Sequence, residues 1–414
     1  MPTNIAEAVR AEYEQRPYPA VTKERLRRPP WRPPPIEWIN TVAPSAGGRP
    51  ERILVAGCGT GFEAFAYQRR YPKAEITAID FAAHSIRIAQ GLQKNFPSSR
   101  KIQFVRADLT SSRLSRIVGK DFDFISCHGV MSYIPAPASA LSNLARCLAP
   151  DGVLYLGVNG QAHFSETWRQ FLPAFGFDMT RWAGGRRVRQ HLAFTAALAG
   201  EECAGILKLG DSYLASDLFG PVIHNLALAK WLRICREAGL HLRGSEGSRQ
   251  LLSPVVNGGS YEVLLPRSRA EVAEVLELLK PRAFHSLILS LQPEALPPWG
   301  KVTALMNWRP LATEHFRKFR LPAGNNPTAF RLENKKANIS LELRGAGWEI
   351  ALLRGSNGER SLREILAPLP PVAPSALRSQ LYLFYLLDLL NLLPPTPRHS
   401  DRRSPDPRAA RRSP

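Results

Sequence analysis

The regular pattern of this chain begins at RILVA, residues 52–56, a short apolar run that ends in glycines. Continuous apolarity over so few residues predicts a strand buried on both faces, as in a parallel sheet. Two periods then alternate. Residues 62–71 carry a helical pattern, 75–80 (EITAID) a strand, 84–95 a helix and 102–106 a strand. Residues 122–127 (FDFISC) form a further strand, 138–148 a helix closed by Pro150-Asp151-Gly152, and 153–158 (VLYLGV) a fifth strand. Strands alternating with helices at this pace predict βαβ units and an α/β, Rossmann-like doubly wound parallel sheet.

Outside this block the pattern is weaker. Residues 4–16 read as a short helix, and 17–35, including RRPPWRPPP, are too rich in proline for a sheet interior and should wrap the surface in extended form. After Asn159 the alternation stops, and 160–210 read as irregular with helical pieces. An amphipathic helix is expected at 225–238, ended by Gly239, then a strand at 240–244 and a helix at 271–279. The apolar run 283–291 fits a strand or a helix. Farther on, strands are expected at 339–343 and 348–353. Ser361 and Glu364 form a capping box that starts a helix, and a long helix over 375–393 is stopped by Pro394-Pro395.

These readings divide the chain into an N-terminal helix and Pro-rich segment (1–46), an α/β domain (47–250), a connecting region (251–311), a smaller α+β C-terminal domain (312–395) and a basic tail (396–414). The C-terminal domain reads equally as winged-helix-like or as an oligomerisation or substrate-cap module. The tail, rich in Pro, Arg and Ser, is expected to be disordered.

Composition narrows the setting. Among 414 residues, 44% are apolar, enough for a substantial core. Five scattered cysteines, without a CxxC pair or histidines at zinc spacing, read as reduced thiols and no metal site. The N-terminus lacks the apolar stretch of a secretory signal. The most apolar run, 381–393, contains Asp388 and Asn391 and falls short of the ~20 residues that span a bilayer. A cytoplasmic protein without a membrane segment is expected. The net charge of +20 raises nucleic acid as a partner. The arginines are nevertheless spread along the chain, with clusters only at 181–189 and 398–412, so nothing beyond charge supports that partner.

The chemistry gathers where the first strand meets Ala56-Gly57-Cys58-Gly59-Thr60-Gly61. Strand, glycine turn and helix form the nucleotide corner of a doubly wound sheet. Dinucleotide sites favour GxGxxG with pyrophosphate at the helix N-terminus. Here the spacing is GxGxG, and Glu63 in the first helical turn would repel a phosphate. Asp80, followed by Phe81, ends the second strand, where an acid can accept from both hydroxyls of a ribose; its alternative role is a helix N-cap. Asp108, in Ala107-Asp108-Leu109, follows the third strand and could accept from an adenine amine, or serve a turn. Cys127, His128 and Tyr133 follow the fourth strand on the same edge; a packed or surface histidine is the alternative for His128.

In this order and spacing, VAGCGTG, Asp80, Asp108 and FDFISCHGVMSYI…LAPDGVLYLGV resemble the class I S-adenosylmethionine-dependent methyltransferase superfamily over about residues 50–160. The resemblance implies an S-adenosylmethionine-binding domain over 47–250, with cofactor contacts at Ala56, Gly57, Cys58, Gly59, Gly61, Asp80, Phe81, Ala107, Asp108, Leu109 and His128. More narrowly, AEYEQRPYP before ILVAGCGTG, and DSYLASDLFGPVIHNLALAKWLRICREAGL after it, look similar to a bacterial group with a regulatory region and a small C-terminal domain. Two positions depart from the superfamily pattern. Val55 stands where an acid commonly helps hold the methionine end of the cofactor, and Met131-Ser132-Tyr133-Ile134 replaces a common LHHL.

Displacement at an activated methyl sulfonium needs alignment more than a catalytic group. No catalytic residue is therefore demanded. Tyr13 and Tyr18 from the N-terminal segment, with His128, Tyr133 and Asn159, could shape the acceptor side. The reading is a methyltransferase acting on a protein side chain or a small molecule. One alternative is a cofactor-binding regulatory protein with weak catalysis, which Val55 and the MSYI segment would suit. The other is a nucleic-acid methyltransferase, but the fourth strand exits into CHGV rather than the Asn/Asp-Pro-Pro-Tyr/Phe used on base amines.

Overall fold

The computed structural model describes residues 5–22, 50–95, 102–180, 182, 185–199, 205–252, 260–313, 330–334, 339–343 and 347–395. The RRPPWRPPP stretch, Cys203 and the basic tail lie outside the described residues. The chain divides into two compact units, Met1–Gly258 with Arg267–Glu294, and Gly259–Pro266 with Ala295–Pro414.

The first unit is built on seven strands: β1 (Arg52–Ala56), β2 (Glu75–Asp80), β3 (Ile102–Arg106), β4 (Phe122–His128), β5 (Leu148–Asn159), β6 (His241–Ser245) and β7 (Phe284–Ser290). Their order is β3-β2-β1-β4-β5-β7-β6. β1 through β5 pair in parallel, while β7 runs antiparallel to both β5 and β6. The sheet is thus mixed rather than wholly parallel. The run at 283–291, ambiguous by period, is a strand because β5 and β6 both offer it ladder partners, with Leu287 opposite Leu156.

The apolar character of β1 follows from its central position. Ile53 and Val55 pack on one face with Tyr67 and Phe124, and Leu54 and Ala56 on the other with Leu144 and Trp231. Each fully buried aliphatic side chain contributes about 1.5–3 kcal/mol. A single polar replacement here would therefore remove a large part of a net stability of about 5–15 kcal/mol. The chain crosses to β2 on one side of β1 and to β4 on the other, so order reverses at the carboxyl end of β1. Crevices at such a reversal are where open α/β sheets bind ligands.

In the second unit, β8 (Arg309–Ala312) pairs antiparallel with β11 (Leu390–Leu393), and β9 (Phe330–Asn334) with β10 (Ile339–Leu343). Two expectations are corrected here. The strand expected at 348–353 is the helix Trp348–Gly355; a short apolar run does not by itself distinguish the two states. The helix expected over 375–393 ends as Pro374–Leu386, and its last residues form β11. The stop is Asp388, at φ 55°. Its amide donates to Tyr385 O at 3.1 Å and that of Leu389 to Phe384 O at 2.8 Å, a left-handed helix terminus. The capping box of Ser361 and Glu364 forms as read.

Candidate functional site

The loop after β1 turns back beneath the end of β2. The amides of Gly57 and Cys58 both donate to Ile79 O at 2.8 Å. Gly57 and Gly59 lie at φ 78° and 51°, where an L side chain is strained. Space forbids one as well: a Cβ on Gly57 would stand 2.4 Å from Val130 Cγ2, and one on Gly59 2.0 Å from Tyr18 O.

Asp80 is buried at the end of β2. Its Oδ2 accepts from Gly59 N and its Oδ1 from Ala82 N, both at 2.9 Å. Burial pushes the carboxyl up to about 6, opposed by these amide bonds. Asp80 does not cap the following helix, Ala83–Gln93, whose N-cap residue is Ala82. That helix start is satisfied from elsewhere in the chain: Glu14 accepts from Ala83 N at 2.7 Å and from His84 N at 2.9 Å. Asp80 is left as an oriented acid whose carboxylate has lone pairs beyond the two used.

Glu14 belongs to the helix Ile5–Gln15, which lies along the ligand edge of the sheet. Tyr13 meets the Phe81 ring edge-on at 5.7 Å. Arg10 reaches Asp108 Oδ2 at 3.2 Å, while Asp108 Oδ1 accepts from Thr110 N and Oγ1. Asp108 thus holds a turn, the alternative reading of it, while still lining the cavity. The chain then passes over the glycine loop, where Thr60 N donates to Tyr18 O and Thr60 Oγ1 to Pro19 O.

One cavity opens on this edge. It is lined by Gly57, Cys58, Gly59, Asp80 and Phe81 from the first two crossings, and by Ala107, Asp108 and Leu109 after β3. His128, Tyr133, Asn159 and the N-terminal Tyr13 and Tyr18 complete the residues singled out from sequence. Ala56 and Gly61 are not among its lining. Ala56 is buried in the core, and Gly61 starts the helix Phe62–Arg70, packed under Ala89 and Phe104. His128 stacks on Tyr155 and leans on Phe284, and burial pushes it down to about 4. It is a neutral, packed ring.

Glu63 lines the cavity from the first turn of the helix Phe62–Arg70. Its Oε1 accepts from Ser126 Oγ at 2.5 Å, and burial raises it to about 7 against the bonds from Ser126 and Tyr67. Ser126 is the register partner of Val55. A carboxylate therefore stands beside the position where Val55 lacks one, delivered from the helix instead of the strand.

A second polar cluster lines the cavity; sequence reading named its Tyr133 and Asn159 and missed His163, Tyr213, Ser216 and Asp217. Tyr133 Oη donates to Asp217 Oδ1 at 2.7 Å and receives Asn159 Nδ2 at 3.3 Å. Tyr213 and Ser216 lie on the same helix as Asp217 (Asp211–Leu218) and line the cavity with it. Burial raises Asp217 to about 6, opposed by Tyr133, Tyr213 and Ser216. His163 Nδ1 accepts from Ser165 N, which leaves the proton on Nε2, 3.9 Å from Asp217 Oδ2. Burial pushes His163 down to about 4, so this contact is not an ion pair at neutral pH. The only signal in the sequence is DSYLASD, where Tyr213, Ser216 and Asp217 share one helical face.

The geometry fits S-adenosylmethionine. The glycine positions leave no room for side chains, Asp80 is aimed by two amides, and the lining is acidic, as suits a sulfonium and an ammonium. Among the described residues no group of three or more His, Cys, Asp or Glu could hold a metal ion. No described helix is long and apolar enough to cross a membrane. Of the basic cluster at 181–189, Arg189 binds Asp211 and the carbonyls of Leu207 and Leu209. Arg187 lies over the Phe177 ring.

Comparison with known proteins adds independent support. Residues 54–154 match the family described as Methyltransferase domain. An uncharacterised protein from Synechococcus is 35% identical over 337 residues, covering 76% of this chain and 78% of that one. The malonyl-[acyl-carrier protein] O-methyltransferase of Halalkalibacterium halodurans is 28% identical over 136 residues, 33% of this chain and only 49% of the enzyme. Among solved structures, PKMT2 from Rickettsia typhi in complex with AdoHcy superposes with a TM-score of 0.54 at 15% identity, covering 86% of this chain and 75% of that one. That similarity is one of fold.

Proposed function

The chain belongs to the class I S-adenosylmethionine-dependent methyltransferases, and we propose that its cofactor lies across the Gly57–Gly59 turn with the ribose on Asp80. The observation that carries this is the carboxylate of Asp80, held by Gly59 N and Ala82 N at the cavity wall. Asp108 and Leu109 flank the adenine, and Phe81, edge-on to Tyr13, packs beside the base. Glu63 receives the amino end in place of an acid at position 55. When bound, S-adenosylmethionine supplies a methyl carbon on a sulfonium whose C–S bond breaks with the electron pair leaving on sulfur. The chain's part is to hold donor and acceptor in line and keep water out.

The acceptor, a protein side chain or a small molecule, enters against Tyr133, Asn159 and Asp217. The segment DSYLASDLFGP, similar to the regulatory region of the bacterial group, is in this reading the acceptor wall itself, because its helix supplies Tyr213, Ser216 and Asp217. A nucleic-acid acceptor fits poorly. The cavity lining carries four carboxylates, Glu63, Asp80, Asp108 and Asp217, against one guanidinium, Arg10, and phosphates would meet repulsion there. The reduced, buried thiols of Cys58, Cys127, Cys147 and Cys235 suit a reducing compartment.

The test is a calorimetric titration of S-adenosylhomocysteine into the protein and into the Asp80→Asn variant. One site in the first and a marked loss in the second support the assignment. Equal binding in both would place the ribose elsewhere.

A further inference from the structure

Net charge and cavity charge have opposite signs in this molecule. The chain carries +20, while the described lining of its cavity holds four carboxylates and one guanidinium. That guanidinium, Arg10, is paired with Asp108 at the exposed rim. The two histidines on the wall, His128 and His163, are neutral near pH 7 because burial lowers both to about 4. Asp80 and Glu63 lie on the glycine-loop side, where a cationic cofactor accounts for them. Asp217 does not. It sits on the helix Asp211–Leu218, buried, and the His163 ring 3.9 Å from it is neutral near pH 7, so among the described residues no ion pair neutralises it there.

Its surroundings have a definite chemistry. Asp217 accepts from Tyr133 Oη, and the hydroxyls of Tyr213 and Ser216 on its own helix oppose the upward pull of burial on it. A carboxylate offers about four lone-pair sites, so the bond from Tyr133 leaves room on it for a ligand. Around it stand the rings of Tyr13, Tyr133 and Tyr213, all lining the cavity. Tyr13 Oη lies 3.3 Å from Ser216 Oγ, and Tyr213 lies 6.4 Å from Tyr18, ring to ring. A carboxylate ringed by tyrosine hydroxyls attracts an organic ammonium twice, through its charge and through hydroxyl oxygens that accept from N–H. It repels an anion and gives a neutral hydroxyl nothing comparable.

We infer that the methyl acceptor is an alkylamine, received as its ammonium by Asp217 within the tyrosine wall, and that Asp217 takes the proton that frees the nitrogen for attack. This rests on the cofactor assignment above. The ammonium gives one proton to the Asp217 carboxylate, the freed nitrogen lone pair forms the new N–C bond as the C–S bond opens, and the electron pair leaves on sulfur. The product is the methylated ammonium, and Asp217 returns its proton to water. Burial raises Asp217 to about 6, which brings it closer to an amine as a proton acceptor than an exposed aspartate would be.

The test compares three probes of one size, n-butylammonium, n-butanol and butyrate, titrated into the protein saturated with S-adenosylhomocysteine. The ammonium is expected to bind at least about tenfold more tightly than either of the others, in line with a charge-assisted hydrogen bond to a buried carboxylate. Asp217→Asn should abolish that preference while S-adenosylhomocysteine binds as before. Labelled methyl groups should then pass to n-butylamine or poly-lysine in the wild type and not in the variant. Butanol or butyrate binding as well as the ammonium, or an Asp217→Asn variant that keeps the preference or the transfer, would overturn the inference. The wild-type comparison needs no variant, so it stands even where Asp217→Asn does not fold. Failure of S-adenosylhomocysteine to bind at all would remove the cofactor assignment, and this inference with it. That outcome is visible before any amine is added.

Discussion

The carboxylate of Asp80 accepts the amide of Gly59 at 2.9 Å, which ties the acid at the end of β2 to the glycine turn at the end of β1. Two features that sequence spacing can only place in order are thereby one piece of structure. The same carboxylate fixes Ala82 N, so the acid, the turn and the start of the next helix are aligned together. Disturbing any one of them should disturb ligand binding.

The turn itself admits no side chain. Gly59 combines φ 51° with a Cβ position 2.0 Å from the carbonyl oxygen of Tyr18. Gly59→Ala is expected to cost about 1–3 kcal/mol from backbone strain alone, plus displacement of the Tyr18–Pro19 segment. Chemical denaturation should show the loss as a lower midpoint, and S-adenosylhomocysteine affinity should fall with it. A variant with wild-type midpoint and affinity would show that the N-terminal segment does not lie on the loop.

Glu63 supplies a carboxylate beside Val55, through their shared neighbour Ser126. Glu63→Gln should weaken S-adenosylhomocysteine by about ten- to 100-fold, the scale of one charge-assisted hydrogen bond of about 1.5–3 kcal/mol. Binding of 5′-methylthioadenosine, which lacks the amino acid end, should be unaffected. A loss shared equally by both ligands would mean that Glu63 acts on the fold and not on the amino group.

Cofactor affinity should depend on pH with a fixed sign. Burial raises Asp80 to about 6 and Glu63 to about 7. Both must be ionised to accept from the ribose and the amino group, so affinity is full above these values and falls as pH drops through them. Glu14, Cys58 and Tyr13 are the other titratable groups coupled to Asp80. Calorimetry between pH 8 and 5 should show affinity decreasing on acidification, with a shallower decrease in Glu63→Gln. Affinity that rises toward low pH would contradict the roles given to both acids.

Glu14 caps a helix that begins 69 residues later in the chain. Its carboxyl feels burial, which raises it, but the amides of His84 and Ala83 outweigh that and hold it below the ordinary glutamate range. A lowered folded pKa means stability that is present above the unfolded value and lost as pH falls through the folded one. Glu14→Gln should cost about 1 kcal/mol at neutral pH, the scale of a lost N-terminal cap, and less in acid. Equal denaturation midpoints at pH 7 would show that the helix Ile5–Gln15 is not anchored there.

Much of the proposed cofactor half can be read from sequence because its signals are local. The β1 run, the GxGxG turn and Asp80 at a strand end each depend on a few neighbouring residues, and their order carries the fold. The proposed acceptor wall is different. Tyr133, Asn159, His163 and Asp217 come from four separate elements, and only the folded sheet brings them together. β7 was ambiguous for a related reason, since its partners β5 and β6 decide its state. In the second unit the helix at 374–386 gives way to a strand at an aspartate with positive φ. That conformation is far more often taken by glycine, so the apolar run concealed the stop.

The most direct test of the central claim is the affinity of S-adenosylhomocysteine for the wild type and for Asp80→Ala at pH 8. Two charge-assisted bonds to the ribose are lost in the variant, so its affinity should fall by about 100-fold or more, with one site per chain in the wild type. Wild-type affinity in Asp80→Ala, or no binding to the wild type, would contradict the account.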